Sequence, residues 1–137
     1  MRKAQNKVHR VVVTGIGCLT PVGHGKDAFF DALLAGRSGI GPITHFDASE
    51  ISTKIAAEIN DFAPEDYMDK KAAKRMDRFS HFGVAAAKMA MEDAQLTADA
   101  YDPYRQGILL GTGIGGIDTF EEGKRVLMER GPSRMSP

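Results

Sequence analysis

Cys18 is the only thiol in the chain, and a thiol becomes a nucleophile only as a thiolate, which requires a base or a cation beside it. No base lies near it in the sequence, so Cys18 is read as packing. The four histidines, His9, His24, His45 and His81, are too scattered to form a local metal-ligand motif, and no metal site is expected. Two glycine turns invite a phosphate-binding reading. Gly111-x-Gly113-x-x-Gly116 has the spacing of a dinucleotide loop, but that loop also needs a following strand ending in an acidic residue ~20 positions on, and here a helix and a Gly-Pro stop follow instead. Close packing of a strand against a helix is the better reading, and Gly15-x-Gly17-x-x-Thr20 lacks even the third glycine.

The densest charge is basic: Lys70, Lys71, Lys74, Arg75 and Arg78. Lys71, Lys74, Arg75 and Arg78 fall at i, i+3, i+4 and i+7, one stripe on a helix face. Placed in the first turns of a helix, such cations oppose the macrodipole. On the residues alone two readings stand: a solvated face balanced by Glu65, Asp66, Asp69 and Asp77, or a docking site for an acidic partner.

These residues must be positioned by elements legible in the hydrophobic pattern. His9 to Thr14 is a β-branched run broken at Gly15, which predicts a buried strand, and unbroken apolar strands favour a parallel sheet covered on both faces. Phe29, Phe30, Leu33 and Leu34 predict a helix over 26–35 closed by Gly36. Residues 37–61 form an excursion with a short strand near 53–58. One long helix is predicted from the N-cap Asp69 to about Gln95, with small residues Gly83, Ala85, Ala86, Ala87 and Ala90 that admit a close neighbour. Ile108 to Leu110 predicts a second buried strand leading through the glycine turn into a helix over 117–130, stopped by Gly131-Pro132. The whole reads as α/β.

Lys plus Arg equals Asp plus Glu at 18 each, so bulk charge predicts no attraction to nucleic acid or to an anionic membrane. No apolar run is long enough to span a bilayer, and residues 1–8 read as a polar tail without the hydrophobic stretch of a secretory signal; a cytoplasmic address is expected. A single cysteine excludes an internal disulfide, and 137 residues suit one compact domain or a piece of a larger one.

Val11-Val12-Val13-Thr14-Gly15-Ile16-Gly17 with Pro21-Val22-Gly23, then Leu33 to Ile40, His45-Phe46-Asp47, Lys74 to Phe79, Gly111 to Gly116, and Gly131-Pro132 with Met135-Ser136-Pro137, occur in the order in which they occur in β-ketoacyl-acyl-carrier-protein synthases. From His9 onward the chain resembles the type II condensing enzymes of fatty-acid synthesis. The resemblance implies that residues 9–137 are the incomplete N-terminal half of a thiolase-like α-β-α-β-α layered fold. It implies a homodimer, without cofactor, that extends an acyl chain by decarboxylative Claisen condensation with malonyl-acyl-carrier protein. It also implies that the nucleophilic cysteine, the two catalytic histidines and a supporting lysine lie beyond Pro137, so no residue here is assigned a catalytic role and the segment alone is expected to be inactive. By the same resemblance Lys71, Lys74 and Arg75 match the patch that docks the acidic carrier protein, and Ile114 matches the side chain that gates the acyl pocket. The alternative expectation is a free-standing carrier-binding or assembly module without catalysis.

Overall fold

The computed structural model describes residues 9–97 and 102–135. The polar tail over residues 1–8 and the end of the C-terminal tail, Ser136 and Pro137, lie outside the described residues. Two antiparallel two-stranded sheets come first: β1 (Leu19–Thr20) pairs with β2 (Gly23–His24), and β3 (Ile40–Pro42) pairs with β4 (Ile55–Ala57) with Gly41 opposite Ala56. Between them lies helix α1 (Lys26–Leu34), closed by Gly36 at φ 63° and by the bond from the Arg37 amide to the Ala32 carbonyl at 2.9 Å. Helices α2 (Lys70–Ala73), α3 (Arg78–Asp93) and α4 (Ile117–Arg130) follow.

The tightest packing is backbone on backbone. A Cβ added to Gly15 would lie 2.1 Å from the Ala90 carbonyl oxygen, and one added to Gly17 would lie 2.0 Å from that of Ala86. The small residues of α3 thus admit the segment over 15–18, as the sequence predicts. Asp93 fastens the same joint: its carboxylate accepts from the Ile16 amide at 3.0 Å and pairs with Lys26 at the start of α1. The Lys26 ammonium first, then the Ile16 amide, hold the Asp93 carboxyl below its ordinary range. A second focus is Phe62, which stacks on Tyr67 at 5.7 Å and meets Phe82 edge-on at 5.2 Å.

Three expectations are corrected. The run from His9 to Thr14 joins no strand ladder among the described residues, and Val11 is 89% exposed; Ile108 to Leu110 is likewise unpaired, with Leu109 100% exposed. Apolar side chains make a strand only where a neighbouring ladder takes the backbone hydrogen bonds. The expected parallel sheet is correspondingly replaced by the antiparallel pairs. The single long helix is two helices, because Lys74 to Met76 form a turn and Asp77, with ψ 159°, starts α3 afresh. A break of about one helical turn leaves the apolar period nearly in phase, so the pattern alone does not reveal it. The strand expected near 53–58 is β4, and its partner β3 occupies the Ile40-Gly41-Pro42 stretch read as excursion.

Candidate functional site

Three features of the sequence meet at one place: the basic residues, Asp77 and the glycine loop. The Asp69 side chain caps α2, accepting from the amides of Lys71 at 2.8 Å and Ala72 at 3.1 Å. This short helix carries Lys71 and ends at Ala73 with Lys74 as its C-cap, so Lys74 and Arg75 lie in the turn between α2 and α3. His81 on α3 secures the corner, its Nε2 lying 2.8 Å from the Ala73 carbonyl oxygen.

The four-residue stripe does not survive intact. Arg78 turns inward, its guanidinium donating to the Ile59 carbonyl and lying 5.1 Å from the centre of the Phe82 ring. Lys71, Lys74 and Arg75 are exposed, and none takes part in an ion pair among the described residues. Of the carboxylates expected to balance them, Asp69 is engaged with the α2 amides and Asp77 with α4. What remains of the stripe is an open basic corner of three side chains, with Lys70 exposed beside them.

Asp77 links that corner to the glycine loop over residues 111–116. Its Oδ2 accepts from the Thr119 amide at 3.3 Å, and its Oδ1 accepts from the Thr119 hydroxyl. Thr119 is in the first turn of α4, directly after the loop that carries Ile114. Ile114 is 79% exposed. Gly115 adopts φ 79°, and Gly116 lies so close to Asp77 that an added Cβ would stand 2.4 Å from Oδ2. Close approach of backbone to side chain therefore explains the last glycine of the turn. The sequence reading missed the Asp77–Thr119 contact; the only signal was an N-cap residue in the middle of a pattern read as one continuous helix. Beside Asp77 opens a cavity of about 720 Å3 along α4, lined by Phe120, Gly123, Leu127 and Met135.

The other candidates lie apart. Cys18 is a half-buried free thiol in the segment against α3, and its carbonyl accepts from the Gly25 amide at 2.8 Å. His24 Nε2 lies 3.2 Å from Asp61 Oδ1 without hydrogen-bond alignment, while His45 Nε2 is 2.6 Å from Asn60 Oδ1. His24, His45 and His81 thus face different neighbours. Among the described residues no group of three or more His, Cys, Asp or Glu is placed to hold a metal ion, and no helix is long and apolar enough to cross a membrane.

The curated 3-oxoacyl-(acyl-carrier-protein) synthase 2 of Synechocystis sp. is 46% identical over 128 residues, which are 93% of this chain and 31% of that protein. The protein of the same name from Staphylococcus aureus is 43% identical over 134 residues, 98% of this chain and 32% of that one. The chain therefore spans about a third of the length of the curated relatives it matches. Among solved structures, the ishigamide ketosynthase/chain length factor superposes with a TM-score of 0.77 at 34% identity, over 92% of this chain and 32% of that one. A β-ketoacyl synthase from Burkholderia phymatum gives a TM-score of 0.75 at 29% identity, over 93% and 31%. A third neighbour, at TM-score 0.73 and 26% identity over 92% and 32%, is a type II polyketide ketosynthase in complex with its acyl-carrier protein. The fold is accordingly the N-terminal part of the thiolase-like architecture of ketosynthases. Residues 8–137 match the family model described as the β-ketoacyl synthase N-terminal domain, and the chain belongs to the β-ketoacyl synthase family.

Proposed function

We propose that this chain is the N-terminal portion of a 3-oxoacyl-acyl-carrier-protein synthase, an acyltransferase that elongates fatty acids by condensing an enzyme-bound acyl group with malonyl-acyl-carrier protein. The carbon nucleophile arises as malonyl loses carbon dioxide, and it attacks the acyl thioester to give a 3-oxoacyl thioester and a free enzyme thiolate. Residues 9–137 supply scaffold, pocket wall and carrier dock to a homodimer working in the cytoplasm; the thiol and the imidazoles that carry the chemistry come from the remainder of the longer protein. Cys18 has no such role. Ile114 gates the acyl pocket from its loop.

The observation that carries this reading is the open basic corner of Lys71, Lys74 and Arg75, joined through Asp77 to the loop of Ile114. Cations without carboxylate partners steer a partner rich in surface carboxylates, and added salt screens that attraction. The test is binding of acyl-carrier protein to the longer protein carrying Lys71→Glu with Arg75→Glu. The expected result is affinity lowered about tenfold or more, with wild-type binding weakening as salt rises from ~0.05 to ~0.5 M and the double variant responding much less. Unchanged affinity in the double variant would remove the corner from the dock.

A further inference from the structure

Asp77 behaves unlike an ordinary helix cap. Its backbone starts α3, with its carbonyl accepting from the Ser80 amide at 2.9 Å and the His81 amide at 3.3 Å. An aspartate there normally turns its carboxylate onto the amides of its own first turn, a contact worth about 1 kcal/mol. Here the side chain makes no such bond. Both oxygens are directed instead at Thr119, in the first turn of a different helix, whose own N-cap is Gly116 and offers no side-chain oxygen. Asp77 is thus the cap that α4 lacks, supplied from 42 residues away in sequence. A carboxylate also suits the positive end of the α4 dipole.

The loop is built to accept this carboxylate. The Gly116 position is open to Oδ2 only because it has no Cβ. Behind it, the Gly115 amide donates to the Thr112 hydroxyl at 3.1 Å and the Ile117 amide donates to the Gly115 carbonyl at 3.0 Å, so both ends of the short stretch around Ile114 are tied. At its other end Asp77 is two residues from Arg75 and three from Lys74, and the corner is held to α3 by His81. One side chain therefore joins the exposed basic corner to the loop of Ile114.

We propose that Asp77 is a positioning residue: it sets the loop of Ile114 in fixed register with the basic corner, so that acyl-chain discrimination at the loop depends on a contact remote from any substrate atom. This rests on the gating role of Ile114 proposed above and names a residue that determines it. Loss of the carboxylate frees the Thr119 amide and hydroxyl, and the loop then samples positions in which Ile114 no longer bounds the pocket.

The experiment uses the full-length protein with Asp77→Ala, Asp77→Asn and Thr119→Val, reading backbone amide exchange over residues 112–119 and the ratio of kcat/KM for a long and a short acyl thioester. In Asp77→Ala the loop amides should exchange about tenfold faster or more while those of α1 stay unchanged, since a lost hydrogen bond to a charged group is worth that factor. The chain-length ratio should shift several-fold, in the same direction in Thr119→Val, with Asp77→Asn nearer to wild type because it keeps one acceptor oxygen. A merely structural role lowers both substrates by one common factor and leaves the ratio alone. Unchanged loop exchange in Asp77→Ala, or a loosened loop with a wild-type ratio, overturns the proposal. Wild-type protein that condenses neither substrate overturns the proposed function instead, and the exchange measurement then decides the positioning claim by itself.

Discussion

Glu58 is the most strongly perturbed carboxylate of the described residues. It accepts from the Thr44 hydroxyl at 2.6 Å, from the Thr44 amide at 3.0 Å and from the His45 amide at 3.3 Å, with Asn60 Nδ2 at 3.5 Å. These donors, the Thr44 hydroxyl foremost, lower its pKa from 4.5 to about 2. The folded value lies below the unfolded one, so the stabilisation is complete above about pH 4.5 and disappears as pH falls toward about 2. Asp93, lowered by Lys26 and the Ile16 amide, acts with the same sign. Thermal melts of wild type and Glu58→Gln from neutral pH to about pH 3 check this: the variant should melt lower at neutral pH and lose less on acidification. Parallel curves for the two proteins would show that Glu58 does not set the acid limb. Residue-scale chemistry was partly legible in the sequence. Charge type and spacing singled out Lys71, Lys74, Arg75 and Arg78, and the family resemblance narrowed these to Lys71, Lys74 and Arg75, whereas Thr44 meets Glu58 and Asn60, 14 and 16 positions on, only because β3 and β4 pair, and no local pattern encodes that.

At the scale of elements, helices were read better than strands. Helices α1 and α4 begin and end close to where caps and glycines predict, because a helix satisfies its hydrogen bonds within its own sequence. Strands do not. The runs 9–14 and 108–110 have strand composition and no ladder among the described residues, while β3, which contains a glycine and a proline, pairs. The division of α2 from α3 escaped the period for the reason already given, and the left-handed Gln95 at φ 55°, closing α3 where glycine is usual, escaped it too. The decisive joint is α3 against Gly15 and Gly17. Gly17→Ala must push its new methyl away from the Ala86 carbonyl and the Ala90 amide nitrogen, 2.6 Å away. Backbone cannot yield cheaply, and the variant should lose about 3 kcal/mol or more of unfolding free energy. Gly41→Ala, at a position with nothing within 4 Å, is the control and should change stability by less than about 1 kcal/mol. Equal stability of the two variants would mean that the segment over 15–18 does not pack on α3 as described.

The whole molecule has more surface than core. Among the described residues the buried apolar side chains are Ala32, Phe62, Ala73 and Ala85, three of them alanines. Val11, Val13, Ile108, Leu109, Phe120 and Met128 are each more than two thirds exposed, although the sequence marks several of them as core. An uncovered apolar surface of this extent is the mark of an interaction face, and the reading proposed above assigns it to the remainder of the longer synthase and to its second copy. The order of motifs along the chain made the architecture legible; which surface covers the two apolar runs is not written in their local pattern.

In the proposed function this chain docks the carrier and shapes the pocket, while groups elsewhere in the longer protein perform the thioester chemistry. The most direct measurement is product formation from acyl and malonyl thioesters of acyl-carrier protein, read by mass, for the purified 137-residue chain and for the longer protein that includes it. The expected result is 3-oxoacyl product from the longer protein and none above background from the 137 residues alone. Condensation by the isolated chain, free of longer species, would contradict it.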